Sequence, residues 1–212
     1  MAFVEKLTLS LVKQTQRVHS VRNLQQSTSQ GLALRGLGGK NSSSKERNVI
    51  VFSEKRIVGY SSDQIFKIVS DVDSYHKFVP YCRRSVVTLK KPNRLSANLV
   101  VGFKPFLNLS YTSHVTLIEP YLITAVCEDV KMFDHLKTVW KFSPTDDNDP
   151  RACLLDFAVS FSFKSNTHSM VARLFLDSVV RENVKAFIDR TEMKFGPPSR
   201  EMKKKSVLVR TL

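Results

Sequence analysis

The residues with reactive side chains do not assemble into a complete chemical motif. His76, His114, His135 and His168 share no metal-ligand spacing. Asp71/Asp73 and Asp129/Asp134 could each act as a carboxylate pair in acid–base work, but surface loops explain them as well. Cys82, Cys127 and Cys153 are odd in number, far apart and lack a C-x-x-C pair. That argues against a disulfide framework or a zinc site, and all three read as reduced thiols in or near strands. G-x-S-x-G, P-loop and G-x-G-x-x-G patterns are missing. The sequence therefore assigns no catalytic residue and no metal ligand. Tyr111 and Trp140 remain, each with a polar tip on an aromatic body that needs a partner if buried. Function has to be sought in what the interior holds.

The elements that would build this interior are legible from periodicity. From Leu154, the residues Leu155, Phe157, Val159, Phe161 and Phe163 share one face, with Asp156, Ser160, Ser162 and Lys164 on the other. Leu95, Ala97, Leu99, Val101 and Phe103 form a second apolar row; Leu107, Leu109, Tyr111, Val115 and Leu117 form a third. A first strand is expected near 49–58. Ser61 or Ser62 then caps a short helix carrying Ile65, Phe66 and Val69, and a second short helix from Val72 is stopped by Pro80. Strand-like runs follow near 82–91, 95–104, 107–118, 121–128, 136–143 and 153–164, with turns marked by Pro92-Asn93, Glu119-Pro120 and Asp146 to Pro150. A long helix spans roughly Thr167 to Phe195. Val171, Phe175 and Val179 define one stripe on it, and Leu176, Val180, Val184 and Phe187 another.

The expected fold is therefore α+β: a curved seven-stranded antiparallel sheet around a long C-terminal helix, with two short helices after the first strand. Leu99, Val101, Phe103, Leu109, Tyr111, Trp140, Phe157, Val159 and Phe161 are expected to face inward and line an apolar cavity; a solid core is the alternative. Lys77, Phe78, Pro80 and Tyr81 could form its rim, or a helix end packed under the sheet edge.

Charge separates tails from body. The formal net charge is +14 over 212 residues. Residues 1–47 carry eight Lys/Arg against two Glu, and residues 199–212 five against one. Most of the excess thus lies outside the fold, unlike a nucleic-acid-binding domain. Residues 1–45 are Arg-rich, Ser-rich and acid-poor, with Phe3, Leu7 and Leu11 on one helical face, as in a mitochondrial presequence. A disordered basic arm is the alternative. The domain reading is 1–45 presequence or disordered, 46–198 folded domain and 199–212 basic tail. No apolar run approaches the ~18 residues needed to span a bilayer.

The phrase Tyr75-His76-Lys77-Phe78-Val79-Pro80-Tyr81-Cys82, together with Gly102-Phe103-Lys104 and Trp140-Lys141-Phe142, resembles the mitochondrial coenzyme Q-binding START-domain proteins of the START-like, helix-grip superfamily. The resemblance covers about 48–198. It implies binding of coenzyme Q (ubiquinone) or its polyprenyl precursors at the inner membrane, in support of respiration and quinone synthesis, without a reaction or cofactor of its own. Quinone-synthesis enzymes or respiratory complexes are then the candidate protein partners, and nucleic acid is not expected. Peripheral contact with an anionic, matrix-facing leaflet is expected from Phe103, Lys104 and Phe106 in a hairpin tip, from Met132 and Phe133, and from Lys203, Lys204 and Lys205. Two other classes stay open: a cyclase- or dehydratase-type enzyme, and a ribosome- or RNA-associated protein like similar bacterial relatives.

Overall fold

The computed structural model describes residues 49–103, 107–128, 133–147, 149–164 and 166–211. The expected presequence lies outside them. Alternating sequence becomes pleated strand wherever it was read: β1 (Ile50–Val58), β2 (Cys82–Lys91), β3 (Arg94–Phe103), β4 (Leu107–Ile118), β5 (Leu122–Glu128), β6 (Phe133–Ser143) and β7 (Cys153–Phe163). From β2 to β7 each strand pairs antiparallel with the next, and β1 pairs with β7. This is the expected seven-stranded meander. Its edge strand β2 carries register shifts after Cys82 and Val87, so that Cys82, Ser85 and Val87 are the better buried members of the strand.

Between β1 and β2 lie helix α1 (Ser62–Ser70) and a 3₁₀ turn (Val72–Lys77). Ser61 is the N-cap, and a reciprocal box with Gln64 satisfies both backbone donors. After β7 comes the long helix α2 (Asn166–Phe195). In its described half, Val180, Val184, Phe187, Ile188 and Thr191 are buried. Their spacing of three and four residues is one helical face, and it lies on the inward row of the sheet. Leu95, Ala97, Leu99, Val115, Ile123, Trp140, Phe142, Leu155, Phe157, Val159 and Phe161 form that row.

β1 breaks the apolar rule. Glu54 lies directly across from Phe157 on the inward face and is 1% exposed. The Arg56 guanidinium, two residues along the same face, binds its carboxylate, because a buried charge needs a counter-charge.

The reading of 199–212 as a solvated tail is corrected. Lys203–Thr211 forms β8, antiparallel to β1, and makes an eight-stranded sheet. The run Ser206 to Val209 has strand propensity, and the free side of β1 offers a row of unpaired backbone groups. The connection is fastened at one end of the sheet. Ser199 N donates to Gly59 O at 2.9 Å, and Arg200 bonds Asp147 and Asp149 at 2.8 Å each. The hydroxyl of Thr145 and then the Arg200 guanidinium hold the Asp147 carboxyl down at about 2, and Asp149 is lowered first by the Arg151 amide.

Two outcomes follow for stability. A Cβ on Gly59 would come within 2.7 Å of the Arg200 backbone, so Gly59→Ala should cost about 1–3 kcal/mol in thermal or urea unfolding. Because the folded-state values of Asp147 and Asp149 are depressed, the Arg200 clamp contributes at and above pH ~4 and is lost as pH falls from there towards 2. Hydrogen exchange of β8 amides, corrected for intrinsic rate, should be level from neutral pH to ~4 and accelerate below it. Arg200→Ala should accelerate it several-fold at neutral pH. Unchanged protection of β8 in that variant would contradict the clamp.

Candidate ligand-binding cavity

A single helix cannot fill the concave side of so wide a sheet. Between them a cavity of about 200 Å³ remains. Its floor is the inward row: Leu99 and Val101 from β3, Tyr111 and Val115 from β4, Ile123 and Ala125 from β5, Leu136 and Trp140 from β6, Phe157 and Val159 from β7. Val179, Val180, Asn183 and Phe187 of α2 roof it, and Val72, Tyr75, Val79 and Pro80 close one side.

Six of the nine residues expected to line an interior therefore do so: Leu99, Val101, Tyr111, Trp140, Phe157 and Val159. Phe161 is buried on the same face but packs edge-on against Phe133, with ring centres 6.2 Å apart. Leu109 is half-buried on the inward row without lining the cavity. The Phe103 side chain lies outside the described residues. Of the expected rim, Pro80 lines the cavity and Lys77 is exposed. Phe78 does not stand open: it packs against Tyr75 and Phe187 at 5.9 and 5.2 Å, under the Arg190 guanidinium. Phe187 is the hub of this aromatic group, since it also meets Trp140 at 4.9 Å, and Trp140 meets Phe157 at 4.4 Å. Tyr81 adopts φ 65°, a left-handed conformation that a non-glycine residue holds only when its surroundings impose it. Its carbonyl accepts from Gly102 N at 2.9 Å and its hydroxyl donates to Glu182 of α2 at 2.9 Å, tying the cavity wall to both β3 and the helix.

The expected membrane contacts separate. Lys104, Phe106 and Met132 lie outside the described residues, as do the side chains of Lys204 and Lys205. Phe133 is half-buried against Phe161 rather than presented to solvent. Lys203 pairs with Ile57, whereas the β3–β4 hairpin leaves the sheet at Phe103 and Leu107, the end at which β1 begins with Ile50. About seven residues of strand, roughly 20 Å, separate the two. Lys203 and the hairpin tip do not share one end of the molecule, because β8 starts at the far end and runs towards the near one.

The polar groups lining the cavity are all neutral: Tyr75, Cys82, Tyr111, Ser113, Cys127, Thr138 and Asn183. Tyr75 donates to the Val69 carbonyl. Burial pushes the Cys127 thiol up to about 12, against a hydrogen bond from Ser113, and raises Cys82 as well. Burial likewise raises Tyr111, with Cys127 and Cys82 adding to it. At neutral pH these groups are hydrogen-bonding dipoles, not thiolate or phenolate. Tyr111 lines the cavity from the sheet and Asn183 from the helix. Asn183 Oδ1 is buried without a hydrogen-bond partner among the described residues, at a cost of about 1–3 kcal/mol unless something in the cavity donates to it. Sequence periodicity had no signal for this amide, since an asparagine on a helix reads as surface.

A second constellation has a Ser–His–carboxylate order. Ser96 Oγ lies 3.0 Å from His114 Nδ1, and His114 Nε2 3.2 Å from Glu128. These residues are on the outer face of β3, β4 and β5. His114 and Glu128 are 45% and 66% exposed, and none of the three described cavities is lined by any of them. On this exposed face it is a cross-strand polar ladder.

Comparison with known proteins agrees with the cavity. The family described as polyketide cyclase / dehydrase and lipid transport matches residues 58–188. The coenzyme Q-binding protein COQ10, mitochondrial, of Drosophila melanogaster is 43% identical over 168 residues, 74% of this chain and 69% of that protein. The coenzyme Q-binding protein COQ10 homolog B, mitochondrial, of Xenopus laevis is 46% identical over 138 residues, 65% of this chain and 56% of that protein, so the chain spans little more than half of its length. A START superfamily protein from Mycobacterium smegmatis superposes with a TM-score of 0.58 at 19% identity, over 68% of this chain and 99% of that one, which shows the shared fold. The chain belongs to the polyketide cyclase / dehydrase and lipid transport family and, within it, to the coenzyme Q-binding START-domain proteins.

Proposed function

We propose that the chain binds the head group of coenzyme Q, or of a polyprenyl precursor, in the cavity between sheet and α2, and presents it to an enzyme of quinone synthesis or a respiratory complex. The observation that carries this reading is the wall chemistry. The cavity is apolar with a few neutral dipoles, and among the described residues no Asp, Glu, His, Lys or Arg lines it. A fatty acid or phospholipid head group would be buried there without a counter-charge, which is costly. A neutral ring bearing oxygens is not penalised in this way. The same walls support binding without chemistry, since acid–base catalysis needs a group that titrates near the working pH.

Size sets the mechanism. At about 200 Å³ the cavity is smaller than the usual ligand pocket of about 300–1,000 Å³. It suits a ring and the start of a tail. Exposing a five-carbon isoprene unit to water costs roughly 3–4 kcal/mol, at ~0.8 kcal/mol for each CH₂. The protein therefore works docked on the bilayer, with the distal tail left in lipid. The Arg- and Ser-rich N-terminal stretch and the mitochondrial names of the relatives support a peripheral place on the matrix side of the inner membrane.

The chain purified in mild detergent from quinone-making cells should yield near-stoichiometric quinone by mass spectrometry of an organic extract. Val101→Glu sets a carboxylate among the lining residues and should lower the yield at least about tenfold with the fold retained. Bare wild-type protein, or a different lipid, would overturn the reading. Transfer of full-length quinone between vesicles should require contact with them; equally fast transfer between vesicles kept apart would contradict docking.

A further inference from the structure

We propose that Asn183 selects the reduced, hydroxyl-bearing form of the quinone; this rests on the coenzyme Q reading above. The sheet-side and helix-side polar groups of the proposed head-group site, Tyr111 and Asn183, differ in what they can pair with. The Tyr111 hydroxyl is both donor and acceptor, so it matches a quinone carbonyl or a hydroquinone hydroxyl equally. Asn183 Oδ1 is only an acceptor. It is buried, lines the cavity, and has no donor among the described residues. Ser162 Oγ is likewise buried and unpartnered, but it is not among the cavity-lining residues.

An oxidised ubiquinone ring carries carbonyl and ether oxygens and no O–H. Placed against Asn183 with the amide oxygen facing inward, it sets acceptor against acceptor. A hydroquinone, or a ring-hydroxylated precursor, brings the O–H that the amide lacks. The geometry is supported from both sides. Val180, Val184 and Phe187 are 4%, 1% and 5% exposed and fix the face of α2 that carries Asn183. On the sheet, Tyr111 pairs with Leu99 in the middle of the β3–β4 ladder.

The test is binding of a short-tailed ubiquinone to the full chain under anaerobic conditions, in its oxidised and its chemically reduced form. Equilibrium dialysis and the fluorescence of Trp140, the single tryptophan and a cavity residue, give two readouts. The wild-type chain should bind the reduced form about tenfold more tightly, equivalent to about 1.4 kcal/mol. Asn183→Leu should bring the ratio close to one. Asn183→Ala removes the acceptor with less bulk and should likewise bring the ratio close to one; it carries the test by itself if the leucine variant does not fold. An unchanged ratio in Asn183→Leu or Asn183→Ala, or a wild-type preference for the oxidised form, would overturn the proposal. Failure of the wild-type chain to bind either form would instead overturn the coenzyme Q reading on which it rests.

Discussion

One helix has to cover the concave side of a sheet far wider than itself. Everything functional in this molecule follows from that mismatch. The inward row of β3 to β7 is apolar because α2 lies over it, and α2 is held by Val180, Val184, Phe187 and Ile188. The aromatic group around Phe187 fills the space at one side. Towards Val101, Tyr111 and Val179 the cavity remains. Protein interiors are otherwise close-packed, so an unfilled apolar space of this size beside an unpartnered amide oxygen supports the reading of the cavity as a binding site.

The walls then limit the chemistry. A buried carboxylate does exist on the inward face, at Glu54, but Arg56 binds it and neither lines the cavity. The exposed Ser96–His114–Glu128 ladder has the residue types of a nucleophilic site on the outer face of the sheet, and none of the three described cavities includes it. Both show how little residue identity alone decides. Acid–base catalysis on this fold would call for a group that titrates near neutral pH in the space beneath the helix.

Much of the fold was legible because period-2 alternation states which side of a strand is buried. β3, β4 and β7 declared their inward rows outright, and Leu99, Val101, Tyr111, Phe157 and Val159 follow from them. Three features were not legible. The Lys203 to Lys205 run masked β8, whose partner strand lies about 150 residues earlier in the chain, a non-local pairing that no local pattern reports. Phe78 looked like an open rim because sequence does not show that Phe187 and Arg190 close over it. Asn183 became visible only through packing, since the burial of one amide oxygen is a property of the assembled cavity.

The central claim is that the quinone ring occupies the space between sheet and α2. It is tested most directly by NMR on the full chain with a short-tailed ubiquinone carrying ¹³C-labelled methoxy groups. The account predicts nuclear Overhauser contacts from those methoxy protons to Trp140, Tyr111 and Val101, three residues brought together only inside the cavity. Contacts confined to exposed apolar side chains such as Val86, Leu89 or Tyr121, with none to Trp140, would place the ring on the surface and contradict it.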